Sequence, residues 1–253
     1  MNLRKPVLTI LLFLLFTVAF AQQKDTILLI PGYSLLNCGK LKTGKSSYEF
    51  FLKKNGQQQA VGGLQEDLKK ITYQGKSHYL RVCHITFGAN TILDSGLAAT
   101  YSLQPVFHRS LQPGKKMLFD FQGSLVLGSV DSRDSTGSHL LPVNHTSSHI
   151  LFDSYFEDII ARSLPFKKGM VLRFPEYIYE RGGQVWSIVE IKGLKKIEQS
   201  KNATIKCREI HFYEMDSKGN TTRETIYFID ENSRSILSRE YIIGNTRILM
   251  VAA

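Results

Sequence analysis

The chain has 253 residues, 43% of them hydrophobic, and 32 Lys and Arg against 22 Asp and Glu give a formal net charge of +10. That length suits one large all-β domain or two small ones, with a core that needs no covalent staples. Three cysteines are too few for a disulfide framework. The cations are spread as doublets (Lys53-Lys54, Lys69-Lys70, Lys115-Lys116, Lys167-Lys168, Lys195-Lys196) rather than as a basic arm, which argues against nucleic acid as a partner.

Arg4 and Lys5 precede an apolar run from Pro6 to Phe20, and Ala19-Phe20-Ala21 offers small residues where an exporting peptidase reads them. Residues 1–21 are therefore expected to be a signal peptide cleaved near Ala21, placing the mature chain in the periplasm or outside the cell. No later segment approaches the roughly 20 apolar residues of a membrane span. The scattered lysine pairs read as solvated strand ends and turns, with a diffuse attraction for an anionic envelope surface as the alternative.

Residues 22–43 read as an N-terminal extension and residues 44–253 as a single β domain. At their junction, Gly39-Lys40-Leu41-Lys42-Thr43-Gly44-Lys45-Ser46 satisfies G-x-x-x-x-G-K-[ST], the loop whose backbone N–H groups cradle phosphates. A nucleotide is nonetheless not expected. An exported protein meets almost no ATP, and the chain lacks the strand and helix alternation of a nucleotide-binding sheet. The segment reads instead as a basic turn leading into a strand over Tyr48–Leu52.

From Tyr48 onward the pattern is of short β-prone runs broken by turns. Val185, Ser187, Val189 and Ile191 alternate with Trp186, Ile188, Glu190 and Lys192, the signature of a half-buried strand. The same alternation predicts strands over 79–87, 117–122, 125–130, 203–213, 222–229, 236–243 and 246–251. Gln74-Gly75-Lys76, Arg181-Gly182-Gly183 and Ile243-Gly244-Asn245 supply hairpin turns between such runs. Successive strands joined by short turns predict an antiparallel meander.

Residues 131–149, rich in Ser, Asp, His and Asn, read as a long mobile loop. After it Leu151, Phe152, Tyr155, Phe156, Ile159 and Ile160 recur in pairs every four residues, predicting a helix near 149–163 that lies across the open face of a curved sheet.

Motifs for chemistry are sparse. His139, His145 and His149 share a region with Asp131, Asp134 and Asp153, but their spacing is irregular for zinc. Glu66-Asp67 and Glu157-Asp158 read as solvent-facing charges. Cys83 and Cys207 lie in strand-like segments, where they either bridge across the sheet or stay as buried thiols. Neither a catalytic constellation nor a cofactor site is expected. Aromatic and aliphatic side chains are the better lead: Phe152, Tyr155, Phe156, Ile159, Phe174, Tyr177 and Trp186 are candidates to line a cavity for an apolar molecule.

Gly44 to Tyr48, Asn55-Gly56, Leu93-Asp94-Ser95, Leu103-Gln104-Pro105, Arg162-Ser163-Leu164-Pro165, Val189 to Gly193 and Phe228-Ile229-Asp230 through Ile236-Leu237 follow one another in an order that resembles a periplasmic β-rich family of unknown function. That family is similar in turn to the lipoprotein-carrier and lipoprotein-receptor group. The resemblance implies a strongly curved antiparallel sheet, an unclosed barrel, with helices plugging its concave side, where the carrier group holds acyl chains. The stretch Asp25 to Lys42 has no counterpart there.

These readings converge on an all-β, mainly antiparallel open barrel of about nine to eleven strands with a covering helix. The expected function is a non-enzymatic carrier or binding protein for a lipid or other apolar ligand. An envelope scaffold with a solid core is the alternative, and cavity volume separates the two.

Overall fold

The computed structural model describes residues 26–54, 56–135, 137–200 and 203–253. The expected signal peptide and its cleavage point near Ala21 lie outside the described residues.

The described chain forms sixteen strands joined in one sheet. The first meander comprises β2 (Gly44–Lys54), β3 (Gln57–Tyr73), β4 (Lys76–Phe87), β5 (Asn90–Ala99), β6 (Pro105–Gln112), β7 (Lys115–Gln122), β8 (Leu125–Asp134) and β9 (Gly137–Thr146). The second comprises β11 (Val171–Ile178), β12 (Gly183–Ser200), β13 (Ala203–Met215), β14 (Thr221–Asp230), β15 (Ile236–Ile243) and β16 (Thr246–Ala252). The last strand pairs antiparallel with the first of the other meander, Arg247 opposite Lys53 and Ala252 opposite Tyr48. Two short strands, β1 (Thr26–Leu28) and β10 (Phe152–Asp153), pair parallel with the start and the end of β11. The sheet runs from β1 at one edge to β9 at the other and does not close on itself.

Turn chemistry explains the hairpins. Tyr73 pairs with Lys76, leaving the two-residue loop Gln74-Gly75, whose φ values of 48° and 74° match the right-handed twist of the strands they join. The polar residues 131–149, expected as a loop, form the hairpin of β8 and β9, with Asp131 opposite Leu140 and Val126 opposite His145. Polar composition hid a strand pair in which β8 buries Val126 and Val130 in a core cluster while β9 is largely exposed. This hairpin, the joining strands and the N-terminal pairing raise the strand count above the nine to eleven expected.

Residues 26–43 pack into the same core as the rest: Leu29, Leu36, Cys38 and Leu41 are buried in it. Gly39–Ser46 runs from a 3-10 turn at Cys38–Lys40 directly into β2, so no helix N-terminus faces a phosphate at that motif.

The helix is much shorter than the spacing predicted. Phe152–Asp153 is a strand, Ser154–Phe156 is a 3-10 turn, and only Glu157–Ser163 is α-helix, here α1. The Asp153 carboxylate accepts a hydrogen bond from the Tyr155 N–H at 3.1 Å, fixing the entry. All seven α1 residues are buried, the charged ones included. Apolar residues in pairs every four positions here mark a segment threaded through the concave interior rather than one lying on its surface.

Gly96 on β5 makes room for that segment. A Cβ there would stand 2.7 Å from the Tyr155 ring and 2.8 Å from that of Phe156, so both rings would have to shift. We expect Gly96→Ala to lower the unfolding free energy by about 1–3 kcal/mol, the cost of overpacking. Gly39→Ala, which has nothing within 4 Å of its added methyl, should change it by no more than about 0.5 kcal/mol in the same urea titration.

Candidate functional site

Strands carry side chains alternately to the two faces, so register decides which residues meet inside the curve. Arg239 faces Tyr227 and Met250, Tyr241 faces Thr225 and Ile248, and Cys83 faces Glu66 and Asp94. These positions, with Phe50, Leu64 and Arg81, share the concave face that α1 fills.

The first consequence is a cluster of buried charge where the sequence led us to expect solvent. Glu66, Glu157 and Asp158 are all 5% exposed or less. Arg81 Nε donates to Glu66 at 2.6 Å, and its terminal nitrogens donate to Asp158 and to the Tyr155 carbonyl. Arg162 of α1 reaches the second oxygen of Glu66 at 3.5 Å and donates to the carbonyls of Arg234 and Lys42. Arg223 pairs with Glu157 and, at 3.3 Å, with Glu214; the Tyr227 hydroxyl donates to Glu157 at 2.8 Å. Alternation within Glu66-Asp67 sends only Glu66 inward, while Asp67 meets the exposed Lys69 at 2.7 Å. Glu157 and Asp158 point inward because the whole helix does.

Burial opposes the charge of Arg81, yet Asp158 and Glu66 hold its pKa well above the ordinary arginine value. Burial pushes the Cys83 thiol up to about 11, so it offers no thiolate at neutral pH. Glu176 is raised to about 8 by burial and then by the neighbouring Glu157 carboxylate, and Ser187 donates a hydrogen bond to it. On the far side of α1, burial lowers and Asp153 raises the pKa of His108, the balance being upward; the ring lies 3.3 Å from that carboxylate and stacks on Tyr155.

The second consequence is a cleft of about 300 Å³ beside Tyr155. One wall is apolar: Phe50, Leu64, Ile85, Phe87 and Ile248. The other is polar: Arg81, Arg223, Arg239, Asp94, Glu157, Asp158 and Tyr241, with Cys83 between them. Its position is fixed by Tyr155, whose single hydroxyl proton is shared between the carbonyls of Asp94 at 3.1 Å and Arg81 at 3.3 Å while Arg81 sits 4.7 Å above its ring.

Of the seven cavity residues expected from sequence, Tyr155 alone lines this cleft. Phe152, Phe156, Ile159 and Phe174 are packed in the main core, where Phe152 and Phe174 meet edge to face at 5.6 Å. Tyr177 belongs to a second cluster with Phe119, Phe121 and Leu151. Trp186 lies on the opposite face of β12 from Ser187 and Val189, under Arg173 at 3.9 Å. The space beneath Leu151 to Ile160 is therefore solid, and the free volume lies at its side. Arg223, Arg239 and Tyr241 were the residues missed. Their signal was present: Arg223-x-Thr225-x-Tyr227 and Arg239-x-Tyr241 put arginines in the core-facing register of strands otherwise read as hydrophobic.

Cys83 and Cys207 do not bridge. Both are free and buried, on β4 and β13, which β14, β15, β16, β2 and β3 separate in the sheet. The three histidines also fail to converge: His139 and His145 sit at opposite ends of β9, His149 bonds Ser148, and Asp153 is buried against His108. Among the described residues no group of three His, Cys, Asp or Glu could hold a metal ion. Nor is any described helix long and apolar enough to cross a membrane.

An unclosed antiparallel sheet curved around a short buried helix defines a barrel-like class of β protein. The chain belongs to a family described as proteins of unknown function, DUF3108, which it matches over residues 58–250. Its fold is that of the β-barrel-like protein of unknown function DUF1849 from Brucella abortus, at a TM-score of 0.52, 8% identity and coverage of 84% of this chain and 96% of that one. Two further solved structures are similar at lower scores. A candidate exported protein with a YmcC-like fold from Bacteroides fragilis gives a TM-score of 0.38, 9% identity and coverage of 84% and 95%. The hypothetical lipoprotein YmcC from Escherichia coli gives 0.30, 8%, and 84% and 89%. No curated protein matches the chain.

Two outcomes test this site. Removing one partner from a buried ion pair strands the other, so Asp158→Ala should cost about 3–5 kcal/mol in a urea titration. Asp67→Ala, which breaks a wet pair, should cost less than about 1 kcal/mol. The second concerns pH. The carboxyl of Glu176 keeps its proton in the folded chain up to about pH 8, whereas an unfolded glutamate loses it near pH 4.3. Between those values the folded state binds more protons, so stability falls as pH rises from about 5 to 8. Glu176→Gln should flatten that slope; a slope equal to that of the parent in urea midpoints at pH 5, 6, 7 and 8 would contradict the assignment.

Proposed function

We propose that this chain is a non-enzymatic, extracytoplasmic binding or carrier protein whose cleft beside α1 takes a lipid or other apolar ligand. The observation that carries this reading is the apolar lining of the cleft at the side of the packed core, where Phe50 and Leu64 form the buried floor and Ile85, Phe87 and Ile248 stay partly open to solvent. Phe87 remains 42% exposed there, apolar surface that a ligand would remove from water. Export rests on Arg4, Lys5 and the apolar run to Phe20. The chemistry of the cleft favours binding over catalysis: Cys83 keeps its proton, and Arg81, Arg223, Glu157 and Asp158 are occupied with one another.

About 300 Å³ lies at the small end of the range for ligand sites, which suits one short chain rather than a bundle. The packed interior beneath Leu151 to Ile160 favours the second reading, an envelope scaffold acting through its edges or its basic surface. The two part on one experiment. Purified protein should release lipid on solvent extraction and take up a fluorescent acyl probe, and Ile85→Glu, which puts a charge on the apolar wall, should weaken uptake at least about tenfold. Absence of both co-purified lipid and probe uptake would establish the scaffold instead.

A further inference from the structure

The three arginines of the cleft are not equivalent. Arg81 and Arg223 each hold two carboxylates. Arg239 holds none: among the described residues no carboxylate oxygen comes within 4.0 Å of its guanidinium. The side chain is only 8% exposed, and its Nε has no hydrogen-bond partner. What surrounds it is aromatic, Tyr241 at 4.4 Å and Tyr227 at 5.6 Å from ring centre to guanidinium carbon. The Tyr227 hydroxyl donates to Glu157, and its oxygen remains an acceptor beside Arg239. The first negative group Arg239 senses beyond the rings is Asp158, which Arg81 already occupies.

A buried cation with an idle donor costs free energy unless a partner arrives, and arginine cannot shed its proton to escape. Ring stacking and the Tyr227 oxygen offset part of that cost but leave the Nε–H of the planar fork without a partner. The fork lines the same cleft as the apolar wall, so one occupant can satisfy both: a chain against Ile85 and Ile248 and an anionic head at Arg239. Resting on the reading of the cleft as an apolar-ligand site, we propose that its ligand is a single-chain anionic amphiphile whose head is clamped by Arg239. A carboxylate or a phosphate monoester supplies the required acceptors, and each forms charge-assisted bonds with guanidinium.

Binding of dodecanoate, dodecyl phosphate and dodecanol, measured by displacement of a fluorescent acyl probe, tests this. The two anions share a chain with the neutral alcohol. A hydrogen-bonded charge contributes about 1.5–3 kcal/mol, so at least one anion should bind about tenfold or more tighter than dodecanol. Which anion leads identifies the head. Arg239→Met should bring both anions to the affinity of dodecanol while leaving dodecanol itself unchanged. Arg239→Lys keeps the charge without the fork and should fall between; it serves where the methionine variant does not fold. Equal binding of all three compounds by the parent protein, or a preference for anions that survives in Arg239→Met, overturns the head-group assignment but leaves the apolar site standing. Failure of all three to displace the probe overturns the head-group assignment; failure of the probe itself to bind removes the site as well.

Discussion

Arg81 reaches from β4 across the concave interior to Asp158 of α1, with Glu66 of the neighbouring strand holding its other side and binding Arg162 of the same helix. These four side chains tie α1 to the sheet, beside the apolar packing of Phe156, Ile159, Ile160 and Leu164 in the main core. Taking four charges out of water is expensive, and the attraction among them repays it only when geometry is good and every donor is used. Here the guanidinium of Arg81 is shared among Glu66, Asp158 and the Tyr155 carbonyl, and Arg162 also serves the carbonyls of Arg234 and Lys42. The cluster thus joins α1 to β3, β4, the segment before β2 and the turn before β15.

The cleft follows from that anchoring. With α1 pinned at Asp158 and Tyr155 wedged over Gly96, the cleft opens beside the helix, with the buried Phe50 and Leu64 as its floor and Ile85, Phe87 and Ile248 partly open above them. The same network leaves a gradient across the opening, hydrocarbon on one wall and guanidinium on the other. A packed core beneath the helix and a small open cleft beside it are not competing descriptions of the interior; the core is what makes the walls of the cleft rigid.

Much of the architecture was legible because strand alternation and turn residues are local signals. Val185 through Ile191 faced as the alternation required, and Gln74-Gly75 closed the hairpin its dipeptide announced. The helix was overread because apolar pairs every four residues are produced equally well by a segment buried on all sides, and strand pairing to β11 claimed Phe152 and Asp153 first. The site was less legible than the fold. Acidic doublets such as Glu157-Asp158 look like surface charge in isolation, and only the opposing Arg81 and Arg223, more than sixty residues away along the chain, make their burial tolerable. The long-range register that brings β16 onto β2, and with it Ile248 toward Phe50 and Leu64, has no local signature at all.

The central claim is that an apolar chain occupies the space beside Tyr155 rather than the core beneath the helix or the outer face near Trp186. Anomalous diffraction from crystals grown with a terminally brominated dodecanoate locates the chain directly. The account predicts a bromine peak against Phe50, Leu64, Ile85 and Ile248, with the head toward Arg239. A peak against Trp186 on the outer face, or no ordered bromine at saturating ligand, would contradict it.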